Sequence, residues 1–411
     1  MKVNPSKQKK ILIIDFLYPL PENIGRRMRT MNFVRFFKKI GSVDLLYFYL
    51  ESKEVEDTNT FNKEYFVRHP SREGPTEKKW FQKMKGRSER LLEQRPWMVP
   101  EWPPETLREY LSIIKEGRYD IIFCRYILDT YPLFKLPEHL RKRVVIDFDD
   151  VFSESLYGFY AKYDAKMISR IKDKIQKYFL MNYEKKCLNF GAALFVTEHD
   201  QNKVAGKGKK DNTHVIPNIF PANIHFDDGL GSGYPNRDTF LFIGTLDYAP
   251  NVDGLKWFID TVFKHLPGQA ENARLLVVGR APTSEVRALC STMPNIELHP
   301  DVPDVLPFYT RCGIVVVPIL AGGGTRIKIL EAGMAGRPVL ATPMGANGLD
   351  VIDGKDLLLF TDRRTFAESH DKLKDKAVYD SIVSNMKFLV KDRYSPESFN
   401  SRMAEAIQPF L

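Results

Sequence analysis

The chain has 411 residues, 43% hydrophobic and 27% charged, a length for two or three domains and a composition unlike that of a disordered or fibrous chain. No run of 18 apolar residues occurs, so no transmembrane helix is expected. Four scattered cysteines (Cys124, Cys187, Cys290, Cys312) and eight histidines without ligand spacing argue against a disulfide framework or a metal site.

The net charge of +9 is uneven. Residues 1–210 carry 41 basic and 28 acidic side chains, and residues 211–411 carry 20 and 24. Such a split suggests two units that face different partners. Met1–Lys10 is polar and basic, and the run after it contains Asp15, unlike a secretory leader, so a cytoplasmic location is expected.

Lys10–Phe16 (KILIIDF) predicts a buried strand and Tyr18–Gly25 a loop. A helix starts near Arg26, with Phe33, Val34, Phe37 and Ile40 at helical spacing and Gly41 as its stop. Val43–Phe48 is the next strand, so the chain opens as a βαβ unit. Further strands are expected at Asp120–Cys124, Val144–Asp147 and Ala193–Val196. The charged region Glu51–Pro104, with Trp80, Trp97 and Trp102, interrupts this rhythm and reads as an insertion over 51–104 with a basic helix near Glu77–Glu93. A helix near Lys166–Cys187 places Ile168, Ile171, Ile175, Phe179 and Tyr183 on one face.

After the Lys-rich stretch Lys203–Asn212, Thr239–Ile243 is a strand. Asn251 can cap a helix with apolar positions Val252, Leu255, Ile259, Val262, Phe263 and Leu266, ended by Pro267-Gly268. Strands follow at Arg274–Val278, Ile296–His299, Ile314–Val317, Pro338–Thr342 and Leu357–Phe360. The expected architecture is α/β. Two doubly wound parallel-sheet domains, residues 1–210 and 211–390, face a cleft, and residues 391–411 form a terminal helix that returns to the first domain. Ligands bind such sheets outside the carboxyl ends of their strands.

The segment Val317–Leu340 (VPILAGGGTRIKILEAGMAGRPVL) carries the most chemistry. Glycines after a strand let backbone N–H groups approach an anion, and the following helix adds its positive end. Arg326 and Lys328 supply full charges suited to a diphosphate, and Glu331 can accept hydrogen bonds from sugar hydroxyls. A glycine turn with a solvated Lys328–Glu331 helix pair is the alternative.

The segment resembles the donor site of retaining nucleotide-sugar glycosyltransferases with the GT-B fold, the glycosyl transferases group 1 superfamily. Leu330-Glu331-Ala332 matches the second Glu of their Glu-x7-Glu motif, whereas Gly323 occupies the position of the first, as in a GGGTR-x-K variant. Gly336-Arg337-Pro338-Val339, Thr342-Pro343, Gly345-Ala346, Gly348-Leu349 and Asp353-Gly354 resemble the strand and turns that follow. Phe242-Ile243-Gly244-Thr245 with Pro250-Asn251 and Gly254 resembles the start of the donor domain. Relatives carry Arg and Lys where this chain has Thr245 and Pro250. Val277-Val278-Gly279-Arg280 resembles the next strand, and Asp301-Val302-Pro303-Asp304 the loop that holds the base.

The resemblance therefore implies a metal-independent, hexosyl-type glycosyltransferase with no cofactor. Its donor substrate would be a UDP-, GDP- or dTDP-sugar, bound by Gly25, Gly244, Thr245, Asn251, Gly279, Arg280, Val302, Gly323, Gly324, Thr325, Arg326, Lys328 and Glu331. Arg326 and Lys328 stabilise the diphosphate, and Asp149 or Asp150 faces the reacting sugar unless it caps a helix. The acceptor is a glycan or lipid-linked hydroxyl in cell-surface polysaccharide or glycoconjugate synthesis. An epimerase or hydrolase on the same scaffold and a polyanion-binding protein with a degenerate site are the alternatives.

In the first half, Arg26, Arg27 and Arg29 follow Ile24-Gly25, and either one of them reaches acceptor or phosphate or the cationic turn is a solvated edge. Lys166, Arg170, Lys172, Lys174 and Lys177, with Lys78, Lys79, Lys83, Lys85 and Arg87 beside Trp80 and Phe81, suggest an anionic membrane surface as partner, at the inner face. No nucleic-acid motif accompanies the positive charge.

Overall fold

The computed structural model describes residues 8–22, 25–49, 59–70, 90, 92–154, 167–206, 208, 211–220, 236–266, 273–321 and 326–411. The chain divides into two compact units, Met1–Pro217 with Asn400–Leu411, and Asn218–Phe399.

The first unit is built on a seven-stranded parallel sheet. Its strands are β1 (Lys9–Leu17), β2 (Gly41–Tyr49), β3 (Glu64–Phe66), β4 (Ile121–Arg125), β5 (Val144–Asp147), β6 (Ala192–Phe195) and β7 (Thr213–Val215). They lie in the order β3-β2-β1-β4-β5-β6-β7, so strand order reverses between β1 and β4. Ile11, Leu12, Ile13 and Ile14 of β1 are fully buried. They pair with Val43–Leu46 on one side and Ile121–Cys124 on the other. A central strand covered on both faces needs this unbroken apolar run rather than an alternating one. The helix Gly25–Phe37 lays Phe33 and Phe37 on Phe123 of β4, with ring centres 4.5 and 5.2 Å apart.

The end of the chain completes this unit. Lys9 Nζ donates to the carbonyls of Phe410 (3.0 Å) and Leu411 (2.7 Å), and Arg402 Nη1 reaches the Val215 carbonyl at 3.4 Å.

The second unit has six parallel strands: β8 (Thr239–Ile243), β9 (Arg274–Gly279), β10 (Ile296–Pro300), β11 (Ile314–Val317), β12 (Val339–Ala341) and β13 (Leu358–Leu359). Their order is β10-β9-β8-β11-β12-β13, with the reversal between β8 and β11. The helix Ala249–Thr261 buries Leu255 and Ile259 as its spacing predicts. Tyr248, not Asn251, occupies its N-cap. Asn251 lies inside the first turn, and its side chain turns back to the preceding loop.

Two further local expectations change, and a third is not tested. The region read as an insertion is tied into the first unit. Glu64–Phe66 adds an edge strand to β2, and Trp102 is buried against Phe48 (5.4 Å) and Tyr110 (5.2 Å). The basic helix expected at Glu77–Glu93 falls almost wholly outside the described residues. Ile175, expected on the apolar face of the helix Met167–Cys187, is 45% exposed, whereas Phe179 and Tyr183 are buried. Among the described residues, no helix is long and apolar enough to cross a membrane.

Gly254 sets how closely its helix approaches the end of β11. A Cβ there would lie 2.4 Å from the Pro318 carbonyl oxygen. Gly254→Ala gains about 1 kcal/mol in helix propensity, but an overlap with backbone costs more, so a net loss of about 1–3 kcal/mol is expected by urea denaturation. An unchanged midpoint would show that the helix can shift freely.

Candidate functional site

The reversal of strand order between β8 and β11 leaves a crevice at the carboxyl end of the second sheet, where two loop-to-helix turns diverge. Gly244 and Thr245 follow β8, and Arg326 and the helix Ile327–Met334 follow β11. Ile329, Leu330, Ala332 and Gly333 bury one face of that short helix. Lys328 and Glu331, three residues apart, therefore share its half-buried flank.

These side chains are fastened from several elements. Lys328 Nζ donates to Asn251 Oδ1 at 3.3 Å, and Asn251 Nδ2 donates to the Thr245 carbonyl at 2.9 Å. The ammonium also lies 5.2 Å from the centre of the Phe242 ring. A Cβ on Gly244 would fall 2.8 Å from Asn251 Nδ2 and 3.1 Å from Lys328 Nζ, so the glycine leaves room for this contact. Gly279 closes the same corner, since a Cβ there would overlap the Gly244 carbonyl oxygen at 1.8 Å. Glu331 Oε2 accepts from the buried Tyr309 hydroxyl at 2.8 Å. Thr342 caps the helix Pro343–Ala346 through Gly345 N–H (2.9 Å) and donates to the Ile319 carbonyl, pinning the start of the loop after β11.

Of the residues singled out in the sequence, Gly244, Thr245, Asn251, Arg326, Lys328 and Glu331 meet at this crevice. Gly279, exposed Arg280 and half-buried Val302 sit at the carboxyl ends of β9 and β10, on the side of β8 away from β11. There the Ala281 N–H donates to Asp301 Oδ1 at 2.9 Å. Gly323, Gly324 and Thr325 lie outside the described residues. Gly25 is the exposed first residue of the helix Gly25–Phe37 in the first unit. Tyr309 was not foreseen, because a tyrosine in a short helix resembles any core aromatic.

Burial, then the nearby Arg326 guanidinium, pulls the Lys328 ammonium down to about 7. Burial raises the Glu331 carboxyl, opposed by the Tyr309 hydroxyl and by Lys328. The crevice thus holds two cations that a bound anion would stabilise.

The first unit has its own cluster at the reversal between β1 and β4. Arg125, at the end of β4, is fully buried and pairs with Asp147 at the end of β5. Arg29 also binds Asp147, with Nη2 to Oδ1 at 2.6 Å and Nε to Oδ2 at 3.0 Å. Both arginines reach Asp149, at 3.4 Å from Arg29 and 3.3 Å from Arg125. Thr30 Oγ1 accepts from Arg125 Nε (3.0 Å) and donates to Asp15 Oδ2 (2.6 Å). Asp149 has a left-handed φ of 46°, a conformation that costs a non-glycine residue energy and places its carboxylate toward the arginines.

Arg29 is therefore consumed inside the unit rather than free to reach a ligand. Arg27 is buried too, and Arg26 alone of the three is half-exposed, its guanidinium 3.7 Å from the Tyr126 ring centre. Burial favours a neutral Asp149 carboxyl, but Arg125 and Arg29 outweigh it and hold the group below the ordinary range. Asp150 is half-buried beside it. Arg125 and Asp15 were missed as site residues. Their signal was a charge inside an otherwise apolar strand, IIFCR and ILIIDF. Among the described residues, no group of His, Cys, Asp and Glu is arranged to hold a metal ion.

The low Lys328 value has a sign that can be checked. Between about pH 7 and the usual 10.5, the unfolded chain binds a proton that the folded site does not. This group's contribution to stability therefore rises with pH across that window. Denaturation at pH 7 and pH 9.5 should give a steeper rise for wild type than for Lys328→Met. Equal slopes would mean that Lys328 titrates as an exposed lysine.

Residues 237–375 match the family described as "Glycosyl transferases group 1". A curated relative, "Uncharacterized 44.6 kDa protein in cps region" of Klebsiella pneumoniae, is 22% identical over 414 residues, covering 96% of this chain and 97% of that one. Sucrose-phosphate synthase from Thermosynechococcus elongatus superposes with a TM-score of 0.64 at 15% identity, covering 98% of both chains. HepE of Anabaena, solved in complex with UDP and glucose, gives 0.62 at 14% identity, covering 98% of this chain and 100% of that one. The chain has the GT-B fold of these glycosyltransferases, and its second unit carries the match to the glycosyl transferases group 1 family.

Proposed function

We propose that the protein transfers a glycosyl group from a nucleoside diphosphate sugar to a hydroxyl of a glycan or lipid-linked acceptor, with retention at the anomeric carbon. The observation that carries this is the corner formed by Gly244, Asn251 and Lys328 with Glu331 beside it, at the strand-order reversal of the unit that matches the family. In the reaction, the bond from the anomeric carbon to the diphosphate oxygen breaks and a bond to the acceptor oxygen forms. The acceptor proton leaves toward the departing nucleoside diphosphate.

Arg326 and Lys328 offset the charge that grows on the diphosphate, with the backbone of Gly323, Gly324 and Thr325 donating beside them. Glu331 accepts from the ribose hydroxyls. Asn251 aims Lys328, Gly244 leaves room for that contact, Gly279 lets β9 close on the Gly244 carbonyl, Thr245 borders the diphosphate, and Arg280 and Val302 border the base. In the first unit, Gly25 permits close approach of the donor. Asp149, locked by two arginines, orients substrate, and Asp150 beside it is assigned to the acceptor hydroxyl. The bound UDP and glucose of HepE support a UDP-sugar, with a GDP-sugar as the other ribonucleotide candidate. The cps region of the Klebsiella relative supports a role in cell-surface polysaccharide synthesis.

An anionic membrane surface suits the first unit. On the helix Met167–Cys187, the exposed residues Lys174, Ile175, Tyr178, Met181 and Lys185 form one stripe. Trp97, 53% exposed, is tethered alongside by its N–H to Gln176 Oε1 at 2.8 Å. Apolar side chains flanked by lysines match the boundary between acyl chains and anionic headgroups. The protein should sediment with vesicles containing phosphatidylglycerol but not with pure phosphatidylcholine, and Tyr178→Ser with Trp97→Ser should weaken this severalfold. Equal sedimentation of the variant would remove the stripe from the interface.

A thermal-shift panel of UDP-, GDP-, ADP-, CMP- and dTDP-sugars tests the donor site, because a bound ligand stabilises the folded state by mass action. One class should raise the Tm, and Arg326→Ala or Lys328→Ala should weaken that donor about tenfold or more. Turnover should require an acceptor. Sugar release or interconversion without one would point instead to a hydrolase or epimerase.

A further inference from the structure

Glu331 reaches the donor crevice with one of its carboxylate oxygens already engaged. Oε2 accepts the Tyr309 hydroxyl at 2.8 Å, and among the described residues Oε1 has no hydrogen-bond partner. Tyr309 cannot easily turn away. It is 1% exposed and packs in the core with Cys312, Ile329 and Leu330. Its backbone carbonyl accepts from Arg337 Nε at 2.7 Å, and Arg337 is itself 3% exposed, with Nη2 at 3.4 Å from the Thr310 carbonyl. Arg337 stands just before β12 and Tyr309 in the helix Leu306–Arg311 after β10. Two separate elements thus hold one phenol hydroxyl against one carboxylate oxygen.

We propose that Tyr309 is a positioning residue that fixes the Glu331 carboxylate so that Oε1 meets the ribose hydroxyls of the donor, and that this makes the site selective for ribonucleoside over 2′-deoxyribonucleoside diphosphates. The inference rests on Glu331 being the ribose ligand proposed above. A carboxylate with one oxygen fastened loses little rotamer freedom when a ligand binds the other. A hydrogen bond from a ribose hydroxyl to an ionised, partly buried carboxylate is of the stronger kind, and a deoxyribose forfeits it. Burial works against ionisation of Glu331, and the Tyr309 hydroxyl opposes that effect.

The test is calorimetric titration of UDP, GDP and ADP, followed by the 2′-deoxy form of the tightest binder. The proteins are wild type, Tyr309→Phe, Glu331→Gln and the double variant, between pH 6 and 8. Wild type should prefer the ribonucleotide about tenfold. Tyr309→Phe should lose most of that preference while holding the deoxynucleotide as wild type does. Its ribonucleotide affinity should fall off at higher pH than wild type's, because Glu331 then protonates more readily. Adding Tyr309→Phe to Glu331→Gln should change nothing further.

Wild-type selectivity and pH dependence in Tyr309→Phe, with selectivity lost in Glu331→Gln, would overturn the role of Tyr309 and leave the donor site standing. Equal weakening of both nucleotides in Tyr309→Phe would reduce the residue to a packing role and overturn the proposal. Selectivity kept in both single variants would remove Glu331 as the ribose ligand, and no nucleotide bound by wild type would remove the donor site itself.

Discussion

A parallel sheet buried on both faces admits few polar side chains along its strands, each only with a partner, and the placement of charge in this protein follows from that constraint. In both units the central strands are runs of buried Ile, Leu, Val and Phe. Charge is driven to the strand ends and gathers where strand order reverses. Arg125 and Asp147 end β4 and β5 and Asp15 lies near the end of β1 in the first unit, and Gly244 and the loop to Arg326 follow β8 and β11 in the second.

The two reversals use charge in opposite ways. In the first unit Arg29 and Arg125 are matched by Asp147 and Asp149, so the cluster is satisfied from within and holds its loops rigid. In the second, Lys328 is held by the amide of Asn251 and not by a carboxylate among the described residues. The neighbouring carboxylate, Glu331, offsets only part of the cost of burial and of the Arg326 charge, and an incoming anion relieves the remainder. The unit with the lower net charge is thus the one prepared for phosphate.

Long elements were legible because periodicity and burial agree in them. Val144–Asp147, Thr239–Ile243 and Ile314–Val317 were read to the residue. Edge strands β3 (EYF) and β7 (THV) were not, because neither carries the continuous apolar run that marks the equally short β12 and β13. Thr213–Val215 extends the first sheet beyond the Lys-rich stretch Lys203–Asn212 at the expected domain boundary. In the site, Lys328, Glu331 and Asn251 could be found because glycines and a short motif surround them. Arg125 and Tyr309 could not, since their partners are distant in sequence: Arg125 meets Thr30 across 95 residues and Tyr309 meets Glu331 across 22. Ile175 fitted a helical stripe, yet the face that packs is set by Phe179 and Tyr183.

The fastening of Lys9 to Phe410 and Leu411 bears on how the protein is made. The first unit is interrupted by the whole of the second, 182 residues from Asn218 to Phe399. On the ribosome, the seven-stranded sheet emerges early but lacks Asn400–Leu411 until the second unit has been synthesised. Its sheet must persist through that interval with the seat of the terminal segment uncovered, beside Gly191 and the start of β1. Emergence of Asn400–Leu411 is therefore the event that seals the unit translated first.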